Sequence, residues 1–183
     1  VAGPIDAGRK GLTDIHLDPA LPESVTISRL APWRDQPDTI ANRRAATVRG
    51  IGYGIINRRL ARLARGADAP FRSATFGSGD IFEDARITSL QVGSVDGEWR
   101  KGMLAATREV NQALTFGFTQ AEVDEQLANF RTALENAVKA ADTRSNGIFA
   151  NATLALASDE RVPVTPEWLL ANFETLAPDL TPE

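Results

Sequence analysis

The 183-residue chain contains no cysteine and only one histidine, one methionine and one tyrosine. Without cysteine there are no disulfides, no thiolate nucleophile and no thiolate metal site, and the redox compartment is left open. A catalytic zinc usually takes three protein ligands, commonly imidazoles, and keeps one position for water. His16 alone cannot build such a site, although one histidine is enough for a Ser-His-Asp arrangement. No apolar run approaches the roughly 18 residues that span a bilayer, so no membrane segment is expected. Neither charge dominates: 20 Lys+Arg against 24 Asp+Glu leave a formal net charge of -4, which argues against a dedicated nucleic-acid binder. The opening Val1-Ala2-Gly3-Pro4 has no methionine and no signal-peptide pattern, and reads as a processed product or an excised piece. What remains is 43% hydrophobic and 24% charged, the balance of an ordinary folded protein. At this length the chain buries roughly 70% of its unfolded surface. Composition therefore favours a non-catalytic module in a single domain over 1–183.

Residues 1–12 read as an irregular lead-in. Two alternating runs follow, Thr13 to Asp18 and Val25 to Leu30, each read as a strand. A long helix fits Thr39 to Arg65, ended by Gly66. Its three glycines, Gly50, Gly52 and Gly54, lack the spacing of a phosphate loop and are expected to let the helix pack closely. Phe71 to Phe76 and Arg86 to Val95 read as two more strands, with a turn at Gly77-Ser78-Gly79-Asp80. The second half is mainly helical. Asp96 is expected to cap a helix running to Phe116, with Gly117 as its stop. Thr119-Gln120-Ala121-Glu122 forms a capping box opening a long helix to about Arg144, with Val123, Leu127, Phe130, Leu134 and Val138 as its apolar stripe. Further helices are expected from Asn146 to Ala157 and from Thr165-Pro166 onward. This order predicts an α+β fold, a largely antiparallel sheet with helices packed on one face.

Few constellations carry chemistry. Asp14-x-His16-x-Asp18 places three possible ligands on one side of a strand, but a charged solvent face of an edge strand is the simpler reading. Seven arginines and no acid lie between Thr39 and Arg65; Arg43, Arg44, Arg58, Arg62 and Arg65 share an arc of about 100° on a helix. That arc suits phosphate or an acidic polypeptide surface, or is a solvated face pairing with acids such as Asp38 and Asp68. Glu122 and Glu125 read as a solvated helix face, and Trp99 and Trp168 as core or staple residues. Arg58, Arg62 and Arg65 follow one another at spacings of four and three, and are the candidate contact for a domain or substrate.

Three ordered blocks, Asn57-Arg58-Arg59-Leu60-Ala61-Arg62-Leu63-Ala64-Arg65, Asp68-Ala69-Pro70-Phe71 and Gly117-Phe118-Thr119-Gln120-Ala121-Glu122-Val123, resemble the second-domain pattern of insulinase/pitrilysin-type zinc peptidases. The resemblance spans roughly Val25 to Ala177. It implies an inactive domain of a bacterial peptidase, lacking the His-x-x-Glu-His motif, that supports a catalytic domain of the same polypeptide and helps enclose a polypeptide substrate. On that reading the chain alone is not an enzyme and holds no cofactor. Zinc belongs to the catalytic domain of the parent protein, which is expected in the periplasm or cell envelope, and the terminal strands of the domain are missing. The alternatives are a stand-alone protein-interaction module, or a phosphate or nucleic-acid binder using the Arg43–Arg65 helix.

Overall fold

Three runs of alternating residues pair in this computed structural model, which describes residues 8, 18 and 20–182. Strands β1 (Ser24–Pro32), β2 (Ser73–Ile81) and β3 (Ala85–Gly93) form one antiparallel sheet in the order β1-β3-β2. Five α-helices complete the α+β fold: α1 (Ile40–Ala64), α2 (Trp99–Phe116), α3 (Gln120–Lys139), α4 (Asn146–Asp159) and α5 (Pro166–Leu176). The expected strand from Thr13 to Asp18, the Asp14-x-His16-x-Asp18 grouping and the lead-in all fall on segments that lie, apart from Gly8 and Asp18, outside the described residues.

The described chain divides into two compact units, residues 1–35 with 56–116, and residues 36–55 with 117–183. The first holds the sheet, α2 and the end of α1. Register aligns Val25 with Val92 and Ala74, and Ile27 with Leu90 and Phe76, so these side chains share one face. Thr26, Gln91 and Thr75, then Ser28 and Ser89, line the other. Helix α2 buries Gly102, Met103, Ala106, Val110 and Ala113 at helical spacing, and packs on β3 and β1. Its closest approach is at Gly102. A Cβ there would stand 3.1 Å from the Pro70 carbonyl oxygen and 3.3 Å from both Phe71 Cβ and Val92 Cγ1.

Close packing was expected at the three glycines of α1, and the structure shows a tight neighbour at only one of them. A Cβ on Gly50 would meet nothing within 4 Å, and one on Gly52 would make ordinary contact with the Phe118 ring at 3.6 Å. Only Gly54 is crowded, by the flexible end of Gln126. The turn expected at residues 77–80 is also displaced. Those residues stay in β2, and the hairpin reverses at Phe82 and Glu83, both in the left-handed region (φ 46° and 59°). Glycine-rich sequence read as a turn because glycine favours turns; here the strand pairing overrides that preference. Asp96 does not cap α2. It pairs with Arg72 at 3.2 Å, while Gly97 (φ 77°) turns the chain and donates its N–H to Glu23 Oε2 at 3.0 Å. Trp99 is 41% exposed beneath the Arg100 guanidinium, so it is not a core residue.

The second unit is helical. Ile51 and Ile55 of α1, Val123 and Leu127 of α3, and Phe173 and Ala177 at the end of the chain form its core. Phe118, Phe130, Leu134 and Leu180 pack against them, and the Phe130 and Phe173 rings lie 5.2 Å apart. The expected capping box is present: Thr119 Oγ1 accepts the Glu122 N–H, and the Glu122 carboxylate accepts the Thr119 N–H. Helix α5 starts on Thr165, whose Oγ1 accepts the Trp168 N–H at 3.2 Å, with Pro166 at its first position.

Candidate functional site

Helix α1 opens with Thr39 Oγ1 accepting the Asn42 N–H at 3.2 Å, while Asn42 Nδ2 reaches the Pro37 carbonyl at 2.8 Å. This start sets Arg43 and Arg44 against the rest of the second unit. The Arg43 guanidinium grips both oxygens of the Asp38 carboxylate and donates to the Val162 carbonyl at 2.6 Å. Asp38 in turn accepts the Val162 N–H at 2.8 Å, and the Trp168 ring lies 5.3 Å from the guanidinium carbon. The hydrogen bond from Arg43 outweighs desolvation and, with the Val162 N–H, holds the Asp38 pKa down from the ordinary 3.8 to about 2. Arg44 donates to Thr175 Oγ1 at 2.8 Å and Asn172 Oδ1 at 3.4 Å. Two of the five arginines on the expected arc are therefore occupied in holding helices together. Their planar donor forks suit this bidentate task.

In the first unit, Arg59 pairs with Glu109 of α2 at 3.7 Å. Arg58, Arg62 and Arg65 remain exposed on the last turns of α1 and just beyond its end. Chain geometry keeps them together: one helical turn separates Arg58 from Arg62, and the Arg65 N–H bonds the Arg62 carbonyl at 3.2 Å. Three cations on one ridge suit carboxylates or phosphates, and they also complement the negative end of the helix dipole.

The other candidate groupings are structural. Glu122 is committed to the capping box, so Glu122 and Glu125 are not an acid–base pair. Among the described residues, no group of three or more His, Cys, Asp or Glu side chains stands close enough to hold a metal ion. No helix there is long and apolar enough to cross a membrane. Sequence reasoning offered Asp38 as a partner for the arginine arc, and the Arg43–Asp38 pair is present, but it missed Val162 as the third member of the clamp. The clamp's one legible signal was an acid immediately before a basic helix start, and the partner from residue 162 could not be read from spacing.

No protein-family model matches the sequence, and no curated protein matches it. Solved structures do. The periplasmic protease PqqL from Escherichia coli aligns over 86% of this chain with a TM-score of 0.77 and 17% identity, and the first half of that protein aligns equally well at 18% identity. A predicted insulinase family protease from Yersinia pestis aligns over 87% of this chain, with a TM-score of 0.70 and 12% identity. The chain spans 18% of the length of PqqL and 34% of the Yersinia chain. Its fold is therefore one that insulinase-type proteases carry as part of a longer polypeptide.

Proposed function

We propose that this chain is the non-catalytic domain of an insulinase-type, zinc-dependent peptidase. It supports the catalytic domain of the same polypeptide and helps enclose a polypeptide substrate. The observation that carries this reading is the fold match over 86% of the chain to part of a much longer protease. The sequence adds to it, because the one histidine leaves no His-x-x-Glu-His motif. The zinc of the parent enzyme belongs to its catalytic domain, where it would supply Lewis-acid activation of water. The proposed location is the periplasm, a reading supported by the likeness to PqqL, which is a periplasmic protease. Arg58, Arg62 and Arg65 are the proposed contact with the neighbouring domain or with substrate. The phosphate or nucleic-acid alternative is weakened because Arg43 and Arg44 are already engaged.

The test compares this chain with the product of the complete reading frame. The longer protein is expected to carry stoichiometric zinc by elemental analysis and to cleave an unstructured peptide in a chelator-sensitive manner; this chain alone is expected to do neither. In the longer protein, Arg58→Gln with Arg62→Gln is expected to raise KM and to flatten its salt dependence. Zinc and cleavage in the isolated chain would overturn the non-catalytic reading. Unchanged kinetics in the double variant would remove the arginine ridge from it.

A further inference from the structure

Helix α4 buries none of its residues. Its two half-buried positions, Ala152 and Ala155, carry only a methyl each, while Phe149 is 50% and Leu154 65% exposed. Docking α4 onto the rest of the helical unit therefore removes little apolar surface from water. Local chemistry does not make up the difference. Ser145, at the N-cap, makes no capping hydrogen bond, and Gly147, Asn151 and Thr153 are poor helix formers. Thr153 Oγ1 donates to the Phe149 carbonyl and Ser158 Oγ to the Leu154 carbonyl, each at 2.9 Å, a back-bonding that weakens a helix slightly. At the C-terminal end Glu160 takes the left-handed conformation (φ 51°) that glycine adopts without steric cost. A 14-residue helix with no buried side chain is marginal in water.

The chain on either side of it is pinned. Thr143 donates both its N–H and its hydroxyl to the Ala140 carbonyl, at 3.1 and 3.0 Å, and the Ala140 N–H bonds the Asn136 carbonyl of α3 at 3.0 Å. At the other end both backbone groups of Val162 are taken by Asp38 and Arg43, beside the start of α1. The Arg144 guanidinium lies 5.1 Å from the Phe149 ring, a contact made within the segment between these anchors. None of the core residues Ile51, Ile55, Val123, Leu127, Phe173 and Ala177 comes from that segment.

We propose that residues 144–161 are a locally unfolding element: α4 melts and re-forms as one unit between Thr143 and Val162 while the core of the helical unit stays folded. Opening gives up the cover on two methyl groups and the helix's own hydrogen bonds, a far smaller loss than undoing α3 or α5, whose Val123, Leu127 and Phe173 are buried. The segment re-forms because its composition is not that of a disordered linker. Positions 146–158 carry no charged side chain and include Ile148, Phe149, Leu154 and Leu156. An order–disorder transition of this kind lets a domain reshape one stretch of its surface at small cost. The inference does not depend on the proposed function.

Native-state hydrogen exchange of the chain, followed amide by amide by NMR, tests it. The amides of 150–158 are expected to be protected, but at least about 100-fold less than those from Val123 to Leu134 in α3. Urea below the unfolding transition should leave the rates of 150–158 unchanged, because their opening exposes little surface, and should accelerate exchange in α3. The Val162 N–H, bonded to Asp38, should be better protected than any amide of α4. Gly147→Ala combined with Thr153→Ala raises helix propensity at two exposed positions, and should slow exchange of 150–158 by about tenfold. Protection and urea dependence shared with α3 would overturn the proposal. So would exchange of 150–158 at the rate of unstructured chain, a Val162 amide no better protected than α4, or a double variant whose exchange in 150–158 is unchanged.

Discussion

Asn57 completes the backbone of Phe76: its Oδ1 accepts the Phe76 N–H at 2.8 Å and its Nδ2 donates to the Phe76 carbonyl at 2.9 Å. Strand β2 is an edge of the sheet, and these are the two groups a further strand would pair. One side chain from α1 does this instead, covering the edge at that residue. Both partners are half-buried. Asn57→Ala is therefore expected to lower stability by about 1–3 kcal/mol, because a half-buried donor and acceptor are left unsatisfied. Asn57→Asp, which keeps only the acceptor, should fall between the two. A urea-unfolding free energy for Asn57→Ala equal to the parent's would refute this account.

Two helical glycines should respond to alanine with opposite signs. At Gly50 a Cβ meets nothing within 4 Å, so Gly50→Ala should stabilise by roughly 0.5–1 kcal/mol through helix propensity. At Gly102 the new methyl would press on the Pro70 carbonyl, Phe71 and Val92, and Phe71 and Val92 are fully buried. Overpacking of about 1–3 kcal/mol should outweigh the propensity gain there. Thermal or chemical denaturation of the two variants decides the matter. If both changed stability in the same direction, burial would not be what distinguishes the sites.

The β2–β3 hairpin turns through Phe82 and Glu83, two non-glycine residues with positive φ, and the Asp84 N–H closes it onto the Ile81 carbonyl at 2.9 Å. Asn-Gly suits such a turn far better. Phe82 is 92% exposed, so replacing it loses little packing. Phe82→Asn combined with Glu83→Gly should stabilise the protein by about 1 kcal/mol or more. An unchanged or lower melting midpoint would show that the turn carries no strain.

The sequence was most legible where local chemistry and tertiary structure agree. Thr119 with Glu122, Thr165 with Pro166, and the stripe of Val123, Leu127, Phe130 and Leu134 are all contained within a few turns of chain, and each appears in the structure in its expected role. It was least legible where partners are distant. Gly77 and Gly79 have the composition of a turn, and only their pairing with Ser89 and Ile87 keeps them in a strand. The arginine arc behaved in both ways. Helical geometry groups Arg58, Arg62 and Arg65 without outside information. Removing Arg43 and Arg44 from the arc required Val162, Asn172 and Thr175, more than a hundred residues away. The tight backbone approach at Gly102 was missed for the same reason, since Pro70 and Phe71, about thirty residues earlier, supply two of the three atoms that crowd it.

The clamp of Asp38 and Arg43 makes stability depend on pH in a defined direction. The Asp38 carboxyl titrates at about 2 in the folded protein against an ordinary value of 3.8, chiefly because Arg43 binds its ionised form. A depressed carboxylate stabilises the fold fully above its unfolded pKa, and that contribution disappears as pH falls through the folded value. The window here runs from about pH 4 down to about pH 2. Asp38→Asn removes the titration while keeping an acceptor for the Val162 N–H. At pH 7 the variant should be less stable than the parent by about 1 kcal/mol, a figure reduced for solvent screening of the pair. The gap should shrink on acidification and close near pH 2. Glu174, lowered by its hydrogen bond from Arg131, is exposed and titrates in both proteins, so it cancels from the difference. Unfolding free energies of the two proteins across this range provide the measurement, and a gap that stayed constant from pH 7 to pH 2 would mean that the Asp38 charge does not hold the clamp.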